Sequence, residues 1–432
     1  MADKGKATPE EEKNKAVVRQ TPADDYFLKY YYDPYKIAKN CTRWGSCRWS
    51  SWRFLKDSRF SKVCPSSAYY LFDSYSLQGR LFLALALMEG RMKYEDSPEL
   101  MDIIYKCNMC GGCDAMCKLW ENEMEGLRVI EDLRAKLVAD GQLMPAHMIA
   151  IDWLKKENNM MMQPKAERGK WAEGLKVKDL TEEKAEVCFH AGCLICYDEE
   201  LWKVARGAIS LLIDVGVDVG IMGGDETCCG GRVYEMGYRG EFAKYAENNI
   251  DAWNRAGVKT VITCCSDCYC AIKRRYPEIG STFEVLHMVE FMDKIIKEGK
   301  LKLTKEVPMK VTYHDPCHLG RRTDVYVPGK PIEGVFEPPR DILRSIPGLE
   351  LVEMERIREY AWCCGSGCRV REDYPDFNAW TAGERIEEAM STGAEALVTA
   401  CPWCERTLTD AVNSKGEPMQ IYDLLELVRQ AI

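Results

Sequence analysis

Two stretches of the chain read Cys-Cys-Gly, and each stands at the centre of a set of five cysteines. The first set is Cys193, Cys228-Cys229-Gly230 and Cys265-Ser266-Asp267-Cys268. The second is Cys317, Cys363-Cys364-Gly365 and Cys401-Pro402-Trp403-Cys404. The pairs follow gaps of 34 and 45 residues and precede gaps of 35 and 36. This matched order marks an internal duplication, and five thiolates converging twice mark a metal-cluster protein. Zinc takes four ligands in a tetrahedron, so five cysteines with a vicinal pair overfill it. Soft thiolates in that number favour iron–sulfur clusters instead. Adjacent cysteines point apart, so one pair can reach two different irons.

A second kind of motif lies upstream. Cys107, Cys110, Cys113 and Cys117 follow the bacterial ferredoxin run, in which the fourth cysteine serves the other cluster; Lys118 replaces the usual following proline. Cys41-Thr42-Arg43-Trp44-Gly45-Ser46-Cys47 keeps the same frame with Trp44 in the middle cysteine slot, and Cys64-Pro65 is its displaced partner. By the crossed rule Cys64, Cys107, Cys110 and Cys113 hold a 4Fe–4S cubane. Cys41, Cys47 and Cys117 are left with three thiols, which suits a 3Fe–4S cluster or an empty site.

Composition bounds the alternatives. The chain has 432 residues, 22 cysteines and 46% apolar residues, enough for two or three domains with real cores. A secreted disulfide scaffold is disfavoured: the chain is long, and Met1–Gln20 is polar with no apolar leader. A cytoplasmic protein with reduced, metal-ligating thiols is expected. The net charge of −9 and the lack of a basic block give no footprint for nucleic acid. The longest apolar run, Leu81–Met88, falls far short of the ~20 residues of a membrane helix. Docking on a membrane through a partner stays open.

The elements that position these thiols follow from pattern. Residues 1–35 form a charged N-terminal extension with an aromatic patch (Tyr26, Phe27, Tyr30, Tyr31, Tyr32, Tyr35) that packs on a neighbour. Residues 36–141 form a mainly helical ferredoxin-like domain, with helices over Ser76–Gly90 and Leu127–Asp140. Residues 142–184 are polar and Lys-rich and read as a linker, its Met160-Met161-Met162 a soft gap-filler. Residues 185–304 and 305–432 then alternate strand and helix. The fold class is therefore α/β: a helical domain followed by two duplicated α/β domains with parallel sheets. Strands are expected at Ala185–His190, Asp218–Met222, Thr260–Thr263, Lys310–His314, Leu349–Met354 and Leu397–Ala400. Helices are expected at Glu199–Asp214, Tyr234–Ala256 and Phe377–Gly393.

In such sheets ligands gather at the carboxyl ends of strands, where almost every cysteine of the two sets falls. Each set then offers a residue just after a strand, a Cys-Cys-Gly entering a helix, and a CxxC entering another. A helix start supplies free N–H groups and partial positive charge, which lowers thiol pKa and steadies a negative cluster. Pro402 suits a first turn, and the glycine after each pair lets backbone approach sulfur. His314 and His318 flank Cys317. They are candidate proton carriers at a reductive site, or simple hydrogen-bond partners of sulfur or backbone. Arg321 and Arg322 either balance cluster charge, grip an anion or lie in solvent. Lys273, Arg274 and Arg275 read as a solvated helix face. Cys188, Cys196, Cys264, Cys270 and Cys368 are surplus and read as small buried hydrophobes.

The Cys-Thr-Arg-x-Gly-x-Cys, Cys-Pro and Cys-Asn-Met-Cys-Gly-Gly-Cys-x3-Cys patterns resemble the ferredoxin part of proteins like the D-type subunit of heterodisulfide reductase. Thr227–Gly231 and Tyr313–Arg321 look like the two CCG domains of that family, and the resemblance spans about residues 36–432. It implies a noncubane 4Fe–4S cluster in each five-cysteine set. It also implies an electron-transfer subunit of a complex whose flavin- or iron–sulfur-containing partners handle electron pairs. The family includes catalytic heterodisulfide reductase subunits, a related subunit of sulfate reducers, iron–sulfur subunits of glycolate and lactate oxidases, and a class II benzoyl-CoA reductase subunit. Catalytic disulfide reduction, or electron transfer within a benzoyl-CoA reductase complex, is thus the alternative, and a zinc-bearing scaffold the third reading. No G-x-G-x-x-G follows a strand to suggest a flavin site in this chain. Trp44 makes the expectation for the ferredoxin part specific: EPR of the oxidised protein should show a three-iron signal or iron for one cubane only. Iron for two cubanes there, with no three-iron signal, would contradict it.

Overall fold

A computed structural model of the chain describes residues 33–50, 55–119, 124–323 and 332–432. The expected aromatic patch, apart from Tyr35, lies outside these residues. The first part is helical: α1 (Pro34–Asn40), α2 (Pro65–Tyr70), α3 (Leu77–Met88), α4 (Leu100–Tyr105), α5 (Gly112–Leu119) and α6 (Gly126–Ala139). Helix α3 starts where the Ser76 side chain accepts the Gly79 N–H, leaving Leu77, Leu81, Ala84 and Leu85 to face inward. They meet α6, which buries Leu127, Ile130, Leu133 and Leu137.

The segment read as a linker is instead an ordered part of the core. It holds α7 (Pro145–Glu157) and the edge strand β1 (Lys178–Asp179), and it buries Met160, Arg168 and Trp171. Its polar composition hid this because each buried group is isolated among exposed lysines and glutamates. The methionine cluster fills a gap only in part, with Met160 buried and Met162 well exposed.

The first duplicated half runs β2 (Val187–Phe189), α8 (Cys193–Tyr197), α9 (Trp202–Asp214), β3 (Val219–Ile221), α10 (Gly231–Glu235) and α11 (Arg239–Arg255). It continues with β4 (Thr260–Thr263), α12 (Ser266–Arg275), β5 (Glu284–His287) and α13 (Met288–Lys297). The second runs β6 (Met309–Tyr313), α14 (Glu337–Ser345), β7 (Leu349–Leu351), α15 (Val370–Asp373) and α16 (Pro375–Met390). It ends with β8 (Ala396–Thr399), α17 (Pro402–Lys415), β9 (Gln420–Asp423) and α18 (Leu424–Ala431). All strand pairs are parallel, in the orders β1-β3-β2-β4-β5 and β7-β6-β8-β9. Without β1 the two orders are the same, so the duplication read from cysteine spacing is also one of topology. Helices cover both faces, which is why the central strands are short and mostly apolar, as in the fully buried Ala396–Thr399.

Helices α8, α13, α14, α15 and α18 are additional to the expected pattern, from which the halves also depart elsewhere. The helix expected over Tyr234–Ala256 is broken between α10 and α11. The second Cys-Cys-Gly does not enter an α-helix directly; a 3-10 turn, Gly367–Arg369, intervenes, with Cys368 and Arg369 in left-handed backbone. Strands β5 and β9 are additional to the expected set. Each ends in the cap of the next helix, with His287 and Glu290 or Asp423 and Glu426 closing a reciprocal capping box.

The helical part and the second half meet at several places, one of them especially crowded. Gly367 lies against the loop between Cys107 and Cys110, where an added Cβ would stand 2.0 Å from the Asn108 carbonyl oxygen. Asn108 Nδ2 in turn donates to the Gly365 carbonyl at 2.5 Å. Gly367→Ala is therefore expected to destabilise the protein by about 1–3 kcal/mol. Gly240→Ala, with nothing within 4 Å of its new Cβ, should stay within about 0.5 kcal/mol of wild type. Thermal midpoints measured side by side decide this, and equal values for the two variants would refute the close approach.

Candidate metal centres

Every cysteine is a free thiol, and most are buried. In the first half Cys193 opens α8 just beyond β2, Cys228 and Cys229 precede α10, and Cys265 caps α12 with Cys268 in its first turn. Cys193 makes thiol contact with Cys228, Cys229 with Cys268, and Cys268 with Cys265. The second half repeats this: Cys317 with Cys363, Cys363 with Cys364, and Cys364 with Cys404 at 3.4 Å. Cys401 caps α17 and contacts Cys404, with Pro402 in the first turn. Each five-cysteine set is thus brought together at the carboxyl ends of its strands.

Local backbone serves each set in the same way. The amide of Gly230 donates to Cys228 Sγ at 3.3 Å, and that of Gly365 to Cys363 Sγ at the same distance. Both glycines have positive φ, +76° and +101°, so the turn requires glycine at each. An added Cβ there would also strike Phe242 or Asn378, so each glycine serves close packing as well as its amide's approach to sulfur. The second cysteine of each pair is held toward thiolate. Cys229 is brought down to about 5 by hydrogen bonds from Cys228 and Cys268. Cys364 lies well below its ordinary value through Cys363 and Cys404.

The two sets touch. Cys265 meets Cys401 across the junction of the halves. Nearby, Ser266 Oγ donates to the Ala400 carbonyl at 3.0 Å, and Arg232 lies 3.3 Å from the Trp403 ring centroid. The second set also touches the helical part through Cys363 and Cys110.

Two cavities open among the upstream cysteines. One is lined by Cys64, Cys107, Cys110 and Cys113 with Arg80. The other is lined by Cys41, Cys47 and Cys117 with Trp44. The Trp44 side chain, 53% exposed, adds no sulfur to that wall. Sulfur-lined cavities and clusters of free, buried, soft donors fit iron–sulfur groups well.

Positive charge reaches these sulfurs from unexpected positions. Arg168, in the segment read as a linker, is wholly buried, and both its terminal nitrogens lie 3.7 Å from Cys193 Sγ. Glu226 holds it at 2.7 Å. Arg321 donates to the Cys110 carbonyl at 2.6 Å and to the Ala361 carbonyl, so it is an internal strut rather than solvated. Arg322 and Arg275 share the buried Glu131, at 2.7 and 2.8 Å. Arg275 is therefore not part of a solvated face, although Lys273 beside it is partly exposed. Arg134 donates to Cys368 Sγ at 2.6 Å and to the Cys107 carbonyl at 3.1 Å. The other surplus thiols are buried as expected, with Cys196 near Glu226 and Cys270 donating to the Arg322 carbonyl.

The candidate histidines occupy different surroundings. His318 Nδ1 lies 3.3 Å from Cys317 Sγ and 3.4 Å from Asp267, while Nε2 meets Glu235 at 2.7 Å. Burial opposes its charge, yet Glu235, Cys317 and Asp267 together raise its pKa well above the ordinary value. His314 sits beside Cys364 and Cys404. Sequence reading missed its counterpart His190, which sits beside Cys229 and Cys268. The available signal was the offset: each histidine lies three residues before the first cysteine of its set.

Comparison with known proteins agrees with this construction. The cysteine-rich domain family model (CCG) matches residues 187–273 and 311–409. The D subunit of the dihydromethanophenazine:CoB–CoM heterodisulfide reductase of Methanosarcina acetivorans is 31% identical, over 91% of this chain and 93% of that protein. The probable iron-sulfur-binding oxidoreductase FadF of Bacillus subtilis is 29% identical, over 76% of this chain and 46% of its own length. Among solved structures, a hypothetical protein from Helicobacter pylori shares the fold at a TM-score of 0.53 and 10% identity, covering 98% of this chain and 74% of that one. Among the described residues no helix is long and apolar enough to cross a membrane. The chain belongs to the family of iron–sulfur oxidoreductase proteins typified by the D-type subunit of heterodisulfide reductase and built on a doubled cysteine-rich domain.

Proposed function

We propose that the chain is an electron-transfer subunit of a heterodisulfide-reductase-like redox complex. Cys193, Cys228, Cys229, Cys265 and Cys268 would hold one noncubane 4Fe–4S cluster, and Cys317, Cys363, Cys364, Cys401 and Cys404 the other. Cys64, Cys107, Cys110 and Cys113 would hold a 4Fe–4S cubane; Cys41, Cys47 and Cys117 would hold a 3Fe–4S cluster or none. When bound, these groups supply one-electron storage and transfer at potentials set by charge, hydrogen bonding and burial.

The observation that carries the reading is the series of thiol contacts. From Cys193 the contacts run through Cys228, Cys229, Cys268 and Cys265 to Cys401, then through Cys404, Cys364 and Cys363 to Cys110 of the ferredoxin-type set. A storage or scaffold role gives no reason for donor sets on three parts of the chain to abut. The protein's own residues then have clear tasks. Arg168 and Arg321 offset negative charge beside Cys193 and Cys110, and the glycine amides donate to sulfur. With no flavin motif, two-electron chemistry falls to partner subunits carrying flavin or further iron–sulfur groups.

The meeting of Cys265 with Cys401 favours one second reading, a catalytic subunit that reduces a disulfide between the paired sets. His318 and Asp267 lie at that junction. The Methanosarcina relative is itself named as part of a heterodisulfide reductase.

Cys229→Ser and Cys364→Ser, prepared anaerobically, should each remove the EPR signal of one noncubane cluster and spare the other. Loss of both signals from one substitution would overturn the two-site assignment, and a zinc-loaded, colourless protein would overturn the whole reading. For the catalytic alternative, a disulfide oxidant added to the isolated chain should perturb the noncubane EPR signals; unchanged spectra leave electron transfer as the function.

A further inference from the structure

His190 and His314 are related by the duplication but not by their hydrogen bonds. Each directly follows the first strand of the CCG unit in its half, three residues before the first cysteine of its set. Each ring presents one nitrogen within 4.8 Å of two sulfurs: those of Cys229 and Cys268 for His190, and those of Cys364 and Cys404 for His314. Both rings are enclosed within the protein. A neutral imidazole has one N–H and one bare nitrogen, and the neighbours decide which is which.

At His314 the neighbour is a cation. Arg385 Nε donates to Nδ1 at 3.0 Å. Nδ1 must therefore be bare, and Nε2 carries the proton. At His190 the neighbour is an anion. Its Nδ1 lies 3.6 Å from the Glu226 carboxylate, which the buried Arg168 pairs at 2.7 Å. That carboxylate already accepts from the amides of Ala191 and Gly192, and it can only accept from an imidazole. It draws the His190 proton to Nδ1 and leaves Nε2 bare. Neither His190 nitrogen has a hydrogen-bond partner within the protein, although the ring is 0% exposed. A buried polar group without a partner requires an explanation, and metal-bound histidines commonly carry a carboxylate on the other nitrogen.

We propose that His190 gives a nitrogen ligand to iron in the first five-cysteine set, whereas His314 gives an N–H hydrogen bond to sulfur in the second. The inference rests on the reading that both sets hold iron–sulfur clusters. It makes the two clusters chemically unequal despite their matched cysteines: one has mixed nitrogen and sulfur ligation, the other thiolates alone. Hydrogen bonding and ligand identity both set cluster potential, so the halves would differ in redox behaviour without any difference in cysteine count.

Pulsed EPR on the full-length holoprotein tests this, with iron and sulfide measured on the same sample. The expected result is a strong ¹⁴N hyperfine coupling that becomes a ¹⁵N coupling when the protein is grown on ¹⁵N-histidine. The coupling should be lost in His190→Ala and kept in His314→Ala. Isotope substitution needs no variant, so a failure of His190→Ala to fold leaves the test intact. Full iron and sulfide with no strong histidine coupling would overturn this inference alone, as would its survival in His190→Ala or its loss in His314→Ala. A preparation without iron or sulfide would overturn the cluster reading and this inference with it.

Discussion

The structure depends on one electrostatic constraint: charge held in a dry interior must be balanced from within the same interior. An isolated buried charge is costly, and partners or hydrogen bonds are what make it tolerable. Here the partners are buried arginines and helix starts. Arg168 faces Cys193, Arg80 lines the cavity of Cys64 and Cys107, and Arg134 reaches Cys368 and the Cys107 carbonyl. Cys265 and Cys401 cap α12 and α17, where free amides and the partial positive charge of a helix start lie closest.

The arginines need counter-ions of their own, and these join the three parts of the chain. Glu131 on α6 takes Arg275 from the first half and Arg322 from the second. Glu235 on α10 takes Arg322 and His318, and His318 also approaches Asp267 between the two cysteines of the first CxxC. Burial raises the pKa of Glu131, but Arg275 and Arg322 outweigh it and hold the carboxyl below the usual carboxylate range. In such a network the loss of one member strands the others, a penalty of about 3–5 kcal/mol for a buried pair. The relative placement of the donor sets is thereby tied to the same charges that let the sulfurs be buried.

What could be read in the sequence was what repeats. Cysteine spacing gave the duplication, and the rhythm of short apolar runs and amphipathic stretches gave most strands and helices of both halves. Thr260–Thr263 matches to the residue, and Ser76–Gly90 and Leu127–Asp140 match within two. What could not be read were single residues that work through tertiary contact. Arg168 sits in a lysine-rich stretch with no period, and Arg275 follows Lys273 and Arg274 like any surface charge. Strands β5 and β9 are four residues long and half-exposed, with ends set by capping boxes rather than by an apolar run. His190 was within reach, but only by aligning the halves on Cys193 and Cys317.

Duplication usually yields equivalent sites; here the surroundings make them unequal. The second set abuts the helical part, with Cys363 against Cys110, Gly367 against Asn108 and Arg321 on the Cys110 carbonyl. At the first set the corresponding neighbour is the segment between domains, which covers Cys193 with Arg168 and takes the Cys228 amide on the Asn158 carbonyl at 3.0 Å. One set is therefore a junction, with donor sets on two sides, and the other a terminus, with a donor set on one side only. On the electron-transfer reading, the second set would stand between the ferredoxin-type set and the first. It also explains why the connecting segment is folded rather than loose: a terminus needs its outer face closed, and the cation that closes it must come from outside the repeated unit.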